Sequence, residues 1–157
     1  MNRRHLVLVA LAVVLALAAA LYVNPALFVG DYDATTVEAV DGETGDALAT
    51  VDVRVADTFL KRYVGLSATD ELAADEGMLF VHDEPGEYGY VMREMAFAID
   101  ILFIDSDGEV TRIHEAEPES RPLTTYEGTG QYVLEVPMGW SATHGVEPGD
   151  RIVFELE

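Results

Sequence analysis

The sequence predicts a mainly β domain, a compact sandwich or barrel-like mixed sheet with one or two short helices. One N-terminal signal or transmembrane helix precedes this domain. Several short segments rich in Val, Ile, Thr and aromatic residues alternate with Gly-, Pro- and Asp-rich turn signals, as in closed or sandwiched β folds. One of these segments is apolar on both faces, and a long apolar run opens the chain.

The N-terminal segment, residues 1–30, contains no acidic residue. Arg3 and Arg4 precede an apolar run over residues 6–23, which as a helix would rise about 27 Å and nearly match the ~30 Å hydrocarbon core of a bilayer. A cleaved signal peptide, with a cleavage site at residues 18–20, is one interpretation; the length of the run favours an uncleaved anchor. Both interpretations leave the positive end in the cytoplasm. We therefore predict a domain on the extracytoplasmic side of the cell membrane or, alternatively, a secreted one.

Residues 31–157 form the predicted single domain, and they are strongly acidic. They contain all 29 Asp and Glu but only seven of the nine Lys and Arg, which leaves a net charge of −22. Salt would screen the self-repulsion of such a domain, so we predict adaptation to high salt, with a cation-binding surface as the alternative. Without a basic patch nucleic acid is not an expected partner, and the membrane is the one partner predicted. The lack of Cys excludes disulfides, thiol catalysis and thiolate metal sites.

The elements of the domain can be predicted in order along the chain. Residues 35–40 and 48–55 indicate a hairpin around a turn at 41–46. Asp57 could cap a short helix over residues 58–64 that ends at Gly65, and residues 69–75 could form another helical turn. Strands are predicted over residues 78–82, 90–95, 97–104, 110–116, 131–136 and 151–156, with loops over 83–89, 118–130 and 137–150.

Asp100 lies inside the apolar run FAIDILFI, which indicates a central strand covered on both faces. An unpartnered buried carboxylate is unfavourable, so Asp100 needs a partner. Arg93 and Arg62 are the candidates for an ion pair, and backbone N–H groups are the alternative. A third interpretation makes Asp100 a perturbed carboxylate in a pocket, and Asp100, Arg93 and Glu94 are then the candidate catalytic residues.

Other side chains are candidates for ligand or metal binding. Arg93 and Glu94 lie between Met92 and Met95, where they could meet a ligand or border solvent. Trp140, the only tryptophan, could anchor a partner or pack as a lid or core residue. The candidate ligand-binding residues are Arg62, Met92 and Trp140.

The turn from Asp105 to Gly108 is the first place where the sequence suggests a metal, and a site assembled from His82, His114 and carboxylates is an alternative. Asp105 and Asp107 match the start of a calcium loop, but Ala116 stands where an EF-hand needs a bidentate Glu. A hairpin turn explains the Asp and Gly residues on backbone grounds. No cofactor motif is present, and we expect neither a resident cofactor nor a metal.

Five short motifs occur in an order that resembles the domain of unknown function 192 family, from residue 53 to the C-terminus. They are RYVGLS at 62–67, GMLF at 77–80, YVMREMAFAIDILFID at 90–105, DG at 107–108 and YVLEVPMG at 132–139. Val91, Glu94, Met95 and Ala98 depart from the family's usual Trp, Asn, Thr and Pro, in the element that we expect to line a site. The resemblance implies a compact all-β fold and often export, and it implies no activity.

Three functional hypotheses follow. The first is a non-enzymatic, membrane-tethered or secreted binding or accessory domain, since no catalytic constellation is evident. The second is a small enzyme whose pocket is built on Asp100, Arg93 and Glu94. The third is a divalent-cation binder. We favour the first, and partners other than the membrane remain open.

Overall fold

A computed structural model describes residues 3–156, so residues 1, 2 and 157 of the predicted segments 1–30 and 31–157 lie outside it. Two compact units are present, Met1–Asp31 and Tyr32–Glu157. In the first, helix α1 spans Arg3–Val23, and a 3₁₀ turn follows at Pro25–Phe28. By length and mean hydropathy, which reaches 3.0, α1 could cross a membrane, although a signal sequence would meet the same criteria.

The second unit is built on one seven-stranded sheet with the order β5-β4-β6-β3-β2-β1-β7. All pairs are antiparallel except the parallel pair of β2 and β3. The strands are β1 Asp33–Val40, β2 Ala47–Ala56, β3 Glu76–Tyr90, β4 Ile99–Ile104, β5 Val110–Ala116, β6 Tyr126–Pro137 and β7 Arg151–Val153. The helices of this unit are α2 Phe59–Val64 and α3 Trp140–His144, with a 3₁₀ turn at Gly65–Ala68.

The sheet curls until its two edge strands meet at one end. Glu109, just before β5, forms a bridge with Arg151 of β7. The Val110 N–H donates to the Asp150 carbonyl at 2.8 Å, and the Ile152 N–H donates to the Gly108 carbonyl at 2.8 Å. These bonds hold the edges of a half-barrel together, and the predicted mainly β fold with few short helices is confirmed.

Each face of the curled sheet carries its own hydrophobic core. Strand β4 shows this most clearly, because all six of its residues are buried. Leu102 and Ile104 pack in the core that includes α3 and β7, whereas Ile101 and Phe103 pack in the core on the opposite face. The alternation confirms the prediction of a central strand covered on both sides.

The predicted hairpin of residues 35–40 and 48–55 is confirmed as β1 and β2. The predicted helix at 58–64 is also present, but Thr58 rather than Asp57 is its N-cap. The Thr58 hydroxyl accepts from the Lys61 N–H, while the Asp57 carboxylate pairs with the Lys61 ammonium at 3.0 Å. Thr58 therefore supplies the capping oxygen, and Asp57 acts through its charge.

The helical turn predicted over residues 69–75 is wrong. This segment is irregular, and the helical turn lies earlier, at Gly65–Ala68. The Asp52 N–H donates to the Asp75 carbonyl at 2.9 Å. The segment therefore ends beside β2, where β3 begins its parallel pairing with that strand. The tertiary position of the connection thus overrides its local helix preference.

The loop predicted at 83–89 is wrong, because all of its residues belong to β3. The loop predicted at 118–130 is wrong from Tyr126 onward, where β6 begins. The register shifts between Val81 and Gly86, and pairing then continues from Gly86 opposite Gly130 to Tyr90 opposite Tyr126. Conversely, the predicted strand at 90–95 ends at Tyr90, and Glu94 adopts a positive φ of 56° in a turn. Helix α3 lies in the predicted loop 137–150, and β7 is shorter than the predicted 151–156.

Candidate functional site

Asp100 is buried inside the domain, and its carboxylate accepts hydrogen bonds from the backbone. It is 1% exposed, and its two carboxylate oxygens accept from the N–H groups of Gly139 and Ser141, each at 2.9 Å. These N–H groups belong to the start of α3, where the donors of a helix need acceptors. Asp100 thus has backbone partners, and the structure does not place it with Arg93 and Glu94 in a cleft.

Trp140 and the acidic turn at Asp105–Gly108 also have structural roles. Trp140 is 4% exposed, packs in the core on the α3 side of the sheet and lies 5.0 Å from the His144 ring. The Asp105 carboxylate accepts from the backbone N–H groups of Asp107 and Glu109, both at 2.9 Å, as in an Asx turn. Across residues 3–156, no group of three His, Asp or Glu side chains is arranged to hold a metal ion.

A cavity lies on the other face of the sheet, between α2, β3 and the segment after β3. Its volume is about 420 Å³, within the usual range for small-molecule sites. Most of its lining is apolar or aromatic, with a few polar groups between. The lining residues are Phe59, Arg62, Tyr63, Val64, Gly65, Leu66, Ser67, Phe80, His82, Tyr88, Gly89, Tyr90, Val91, Arg93, Met95 and Glu135.

Arg62 holds one wall of this cavity in place. Its Nη1 donates to the carbonyls of Asp57 at 2.8 Å and Val81 at 2.7 Å, which ties α2 to β3. The nearest carboxylate is that of Asp83, 3.9 Å away on a largely exposed side chain. The charge of Arg62 is therefore only weakly neutralised by the protein.

Arg93 lies at the mouth of the same cavity, against α2. Its guanidinium sits 4.0 Å above the centre of the Tyr63 ring and donates to the Tyr63 carbonyl. Its neighbours in sequence do not join it, because Met92 is buried in the core and Glu94 is exposed outside the cavity. The structure thus brings together Arg62 and Arg93 of the predicted site residues.

Glu135 is the buried acid of the cavity. It is 6% exposed, and it shares with Val133 the face of β6 that packs against the cavity-side core. Among the described residues, no ion pair reaches its carboxyl group. Burial alone raises the pKa of Glu135 to about 8. The carboxyl group is therefore mostly neutral at pH 7.

His82, Tyr88 and Tyr90 form a polar aromatic wall beside Glu135. The His82 ring stacks on Tyr88 with centroids 3.5 Å apart, and its Nε2 lies 2.9 Å from the Tyr90 hydroxyl. Burial, assisted by the Arg62 charge, lowers the pKa of His82 to about 4. Burial also raises the pKa of Tyr90; the Glu135 charge adds to this rise and the Arg62 charge opposes it. The Tyr90 hydroxyl thus lies in the same cavity wall as the His82 ring.

Sequence reasoning did not select Glu135, Tyr88 or Tyr90 as site residues, and it considered His82 only as a metal ligand. A signal for Glu135 exists, because it interrupts the apolar run YVLEV as Asp100 interrupts FAIDILFI. Both acids occupy strands that are buried on both faces, and such acids require an explanation. The sequence gives no signal for Tyr88 and Tyr90, because their part of β3 resembles a loop.

The fold and cavity define a class of protein, a curled β domain with a small-molecule-sized pocket on one face of its sheet. The sequence matches the DUF192 family model, described as Uncharacterized ACR, over residues 40–154. The chain therefore belongs to the domain of unknown function 192 family.

Relatives of similar sequence include two archaeal UPF0127 proteins. One, from Thermococcus sibiricus, is 32% identical over 107 residues, 67% of each chain. Another, from Pyrococcus furiosus, is 30% identical over 112 residues, 65% of this chain and 85% of the relative.

Two crystal structures of bacterial proteins share the fold. A Sinorhizobium meliloti protein, described as a proposed transcription regulator, has a TM-score of 0.73 and 31% identity, over 80% of this chain and 97% of its own. A Novosphingobium aromaticivorans protein of unknown function has a TM-score of 0.66 and 28% identity, over 75% and 83% of the two chains.

Proposed function

We propose that this chain is a membrane-tethered, extracytoplasmic domain that binds a small molecule in the cavity around Glu135. The carrying observation is that cavity, which presents the buried carboxyl group of Glu135, a group that no ion pair reaches within the described part of the chain. A buried polar group with unused capacity is unfavourable unless another group satisfies it. A ligand that donates a hydrogen bond to Glu135 would satisfy it.

The tether is supported by α1 and its flanks. Its 21 residues carry charge only at Arg3 and Arg4, and the positive end of such a helix stays in the cytoplasm. Intact mass of the mature chain, isolated with the membrane fraction, tests this part. We expect the full mass, and external protease should digest the domain. A mass lacking residues 1–20 would instead support the secreted form.

Val91 offers a way to test the cavity as a binding site. It lines the cavity mouth and is 43% exposed, so Val91→Trp should fill the mouth with little effect on folding. Val153→Trp is the matched control, because Val153 is 48% exposed and lies on the edge strand β7. The full-length chain in detergent would be screened by saturation-transfer NMR against sugars, polyols, carboxylates, amines and amino acids.

We expect at least one compound class to bind both the wild type and Val153→Trp, and binding to be lost in Val91→Trp. The proposal is wrong if no class binds, or if binding survives in Val91→Trp. Nucleic acid is not proposed as a ligand, because the net charge of −20 opposes binding to phosphates.

An enzyme that uses the same cavity is the second candidate. His82 and Glu135 line one cleft, and their pKa values are shifted in opposite directions. In such an arrangement the neutral His82 can act as a base and the protonated Glu135 as an acid. Asp100 contributes nothing to this candidate, since it is sealed by backbone N–H groups. Chemical conversion of a bound compound, followed by NMR and lost in Glu135→Gln, would favour the enzyme over the binding domain.

A further inference from the structure

The two ends of the cavity differ in charge. The acidic domain contains seven Lys and Arg residues. Two of them, Arg62 and Arg93, line this one cavity. In the described part of the chain, Arg93 has no carboxylate within 4.0 Å, and Arg62 has only Asp83 at 3.9 Å. The arginine end is therefore a local cationic site on an anionic protein.

Glu135 lies along the sheet from that cationic end. It pairs in register with Met78 of β3, whereas Arg62 donates to the carbonyl of Val81, three residues or about 10 Å further along that strand. Tyr90 belongs to the wall of the cavity, with its hydroxyl 2.9 Å from Nε2 of His82, the residue after Val81. The cavity thus has an acid at one end and arginines at the other, with a phenol in its wall.

Aromatic rings form the walls that connect these ends. Phe80 and Tyr90 meet edge to face at 5.1 Å, and Phe59 and Tyr63 stack at 6.2 Å near the mouth. Phe59 is 76% exposed, and such a large exposed ring at a cavity mouth can cover an apolar ligand. The walls therefore favour a ligand with an apolar or aromatic body.

We infer that this cavity takes a small zwitterion, an amino acid with an apolar or aromatic side chain. Its ammonium group would bind Glu135, its carboxylate would meet Arg62 and Arg93, and its side chain would pack against the rings. This inference rests on the proposed function and names the ligand class for that same site.

Two simpler ligand classes fit less well. A simple anion would be repelled by the acidic domain and would leave the Glu135 carboxyl group without a charged partner. A simple cation would be drawn to the domain but would meet two arginines at the mouth. A zwitterion has no net charge, and it pairs oppositely with both ends of the cavity.

Ammonium binding has a proton balance that can be measured. Before binding, Glu135 holds a proton at pH 7, since its pKa is about 8. An ammonium ligand stabilises the carboxylate, so this proton passes to the buffer. Calorimetry in buffers of different ionisation enthalpy should therefore report the release of close to one proton per bound ligand.

Three matched probes test the ligand class on the full-length chain in detergent and molar salt. They are L-phenylalanine, 2-phenylethylamine, which lacks the carboxylate, and 3-phenylpropionate, which lacks the amine. We expect L-phenylalanine to bind at least about tenfold more tightly than either analogue, because each analogue loses one charge-assisted contact. Proton release should accompany the two amines and not 3-phenylpropionate.

Glu135→Gln is the diagnostic variant, and Glu127→Gln is its control because Glu127 is exposed on the same strand. Glu135→Gln should weaken the binding of L-phenylalanine and of 2-phenylethylamine by roughly tenfold or more. It should change the affinity for 3-phenylpropionate by no more than about twofold. Glu127→Gln should change no affinity.

If 3-phenylpropionate or 2-phenylethylamine binds as tightly as L-phenylalanine, the inference of a zwitterionic ligand is wrong. The cavity would still be a binding site. Binding of none of the three would also overturn the inference. The proposed function itself fails only if the wider set of compound classes also fails to bind, or binds equally to Val91→Trp.

Discussion

Two buried carboxyl groups on neighbouring strands have opposite surroundings. Asp100 of β4 pairs in register with Val136 of β6, and Ile101 pairs with Glu135. Asp100 is directed to the α3 side, where two backbone N–H groups satisfy it, whereas Glu135 borders the cavity without such partners. The first carboxylate stabilises the fold, and the second is free to serve a ligand.

Replacement of Asp100 should therefore affect stability and not binding. Asp100→Ala removes two charge-assisted hydrogen bonds and leaves two N–H groups buried, so we expect a loss of about 3 kcal/mol in the free energy of unfolding. Asp107→Ala, in an exposed turn, should stay within about 0.5 kcal/mol of wild type. Chemical denaturation in molar salt measures both. A stability equal to wild type in Asp100→Ala would contradict this role.

Glu135 should make the stability depend on pH in a defined direction. Its pKa is raised from 4.5 to about 8 in the folded chain, so the folded state binds one proton more than the unfolded state between these values. Its contribution is fully present below about pH 4.5 and is lost as the pH rises to about 8, on the order of 5 kcal/mol in all.

Glu135→Gln removes this dependence, because an amide does not titrate. Relative to wild type, the variant should gain stability from about pH 5 to about pH 9. Denaturation curves of the two chains across this range measure the difference. A constant difference would show that Glu135 has an ordinary pKa in the folded chain.

At the scale of elements, the close packing of β6 on β4 shapes the cavity-side core. Gly128 of β6 lies against the ring of Phe103, and a Cβ there would come within 2.3 Å of the ring. Gly86 of β3 has room, since the nearest atoms to its Cβ would be 3.4 Å away, in the Tyr88 ring. The two glycines thus differ in the space available for a methyl group.

Gly128→Ala should therefore destabilise the domain much more than Gly86→Ala. Overpacking in a tight core typically costs about 1–3 kcal/mol, and the Phe103 ring must move to admit the methyl group. We expect the second variant to stay within about 1 kcal/mol of wild type. Melting temperatures compare the two variants, and equal values would contradict the packing.

The sequence predicted those elements whose signals are local. The run at 97–104 and the turn at Asp105–Gly108 give β4 and β5, because alternation and turn residues act within a few positions. The extensions of β3 and β6 gave no local signal, since Gly86 and Gly130 are strand residues only through pairing across the sheet. The cavity was missed for the same reason, as its walls come from α2, β3, β6 and the segment after β3.

At the scale of the whole molecule, charge should govern stability. The net charge of −20 makes the compact state repel itself, and the Debye length falls to about 3 Å in molar salt. We predict a melting temperature that rises from dilute buffer to molar potassium chloride. Sucrose, which carries no charge, is the control and should raise it less. No rise with salt would argue against salt adaptation.

The central claim is that Glu135 is the buried, ligand-responsive acid of this cavity. The carboxyl carbon of Glu135 in ¹³C-labelled protein tests the claim most directly, with a pH titration before and after addition of L-phenylalanine. We predict a midpoint near pH 8 in the free chain, and a change to the ionised carboxylate signal at pH 7 when the amino acid binds. A midpoint near 4.5, or a signal that L-phenylalanine leaves unchanged, would contradict the claim.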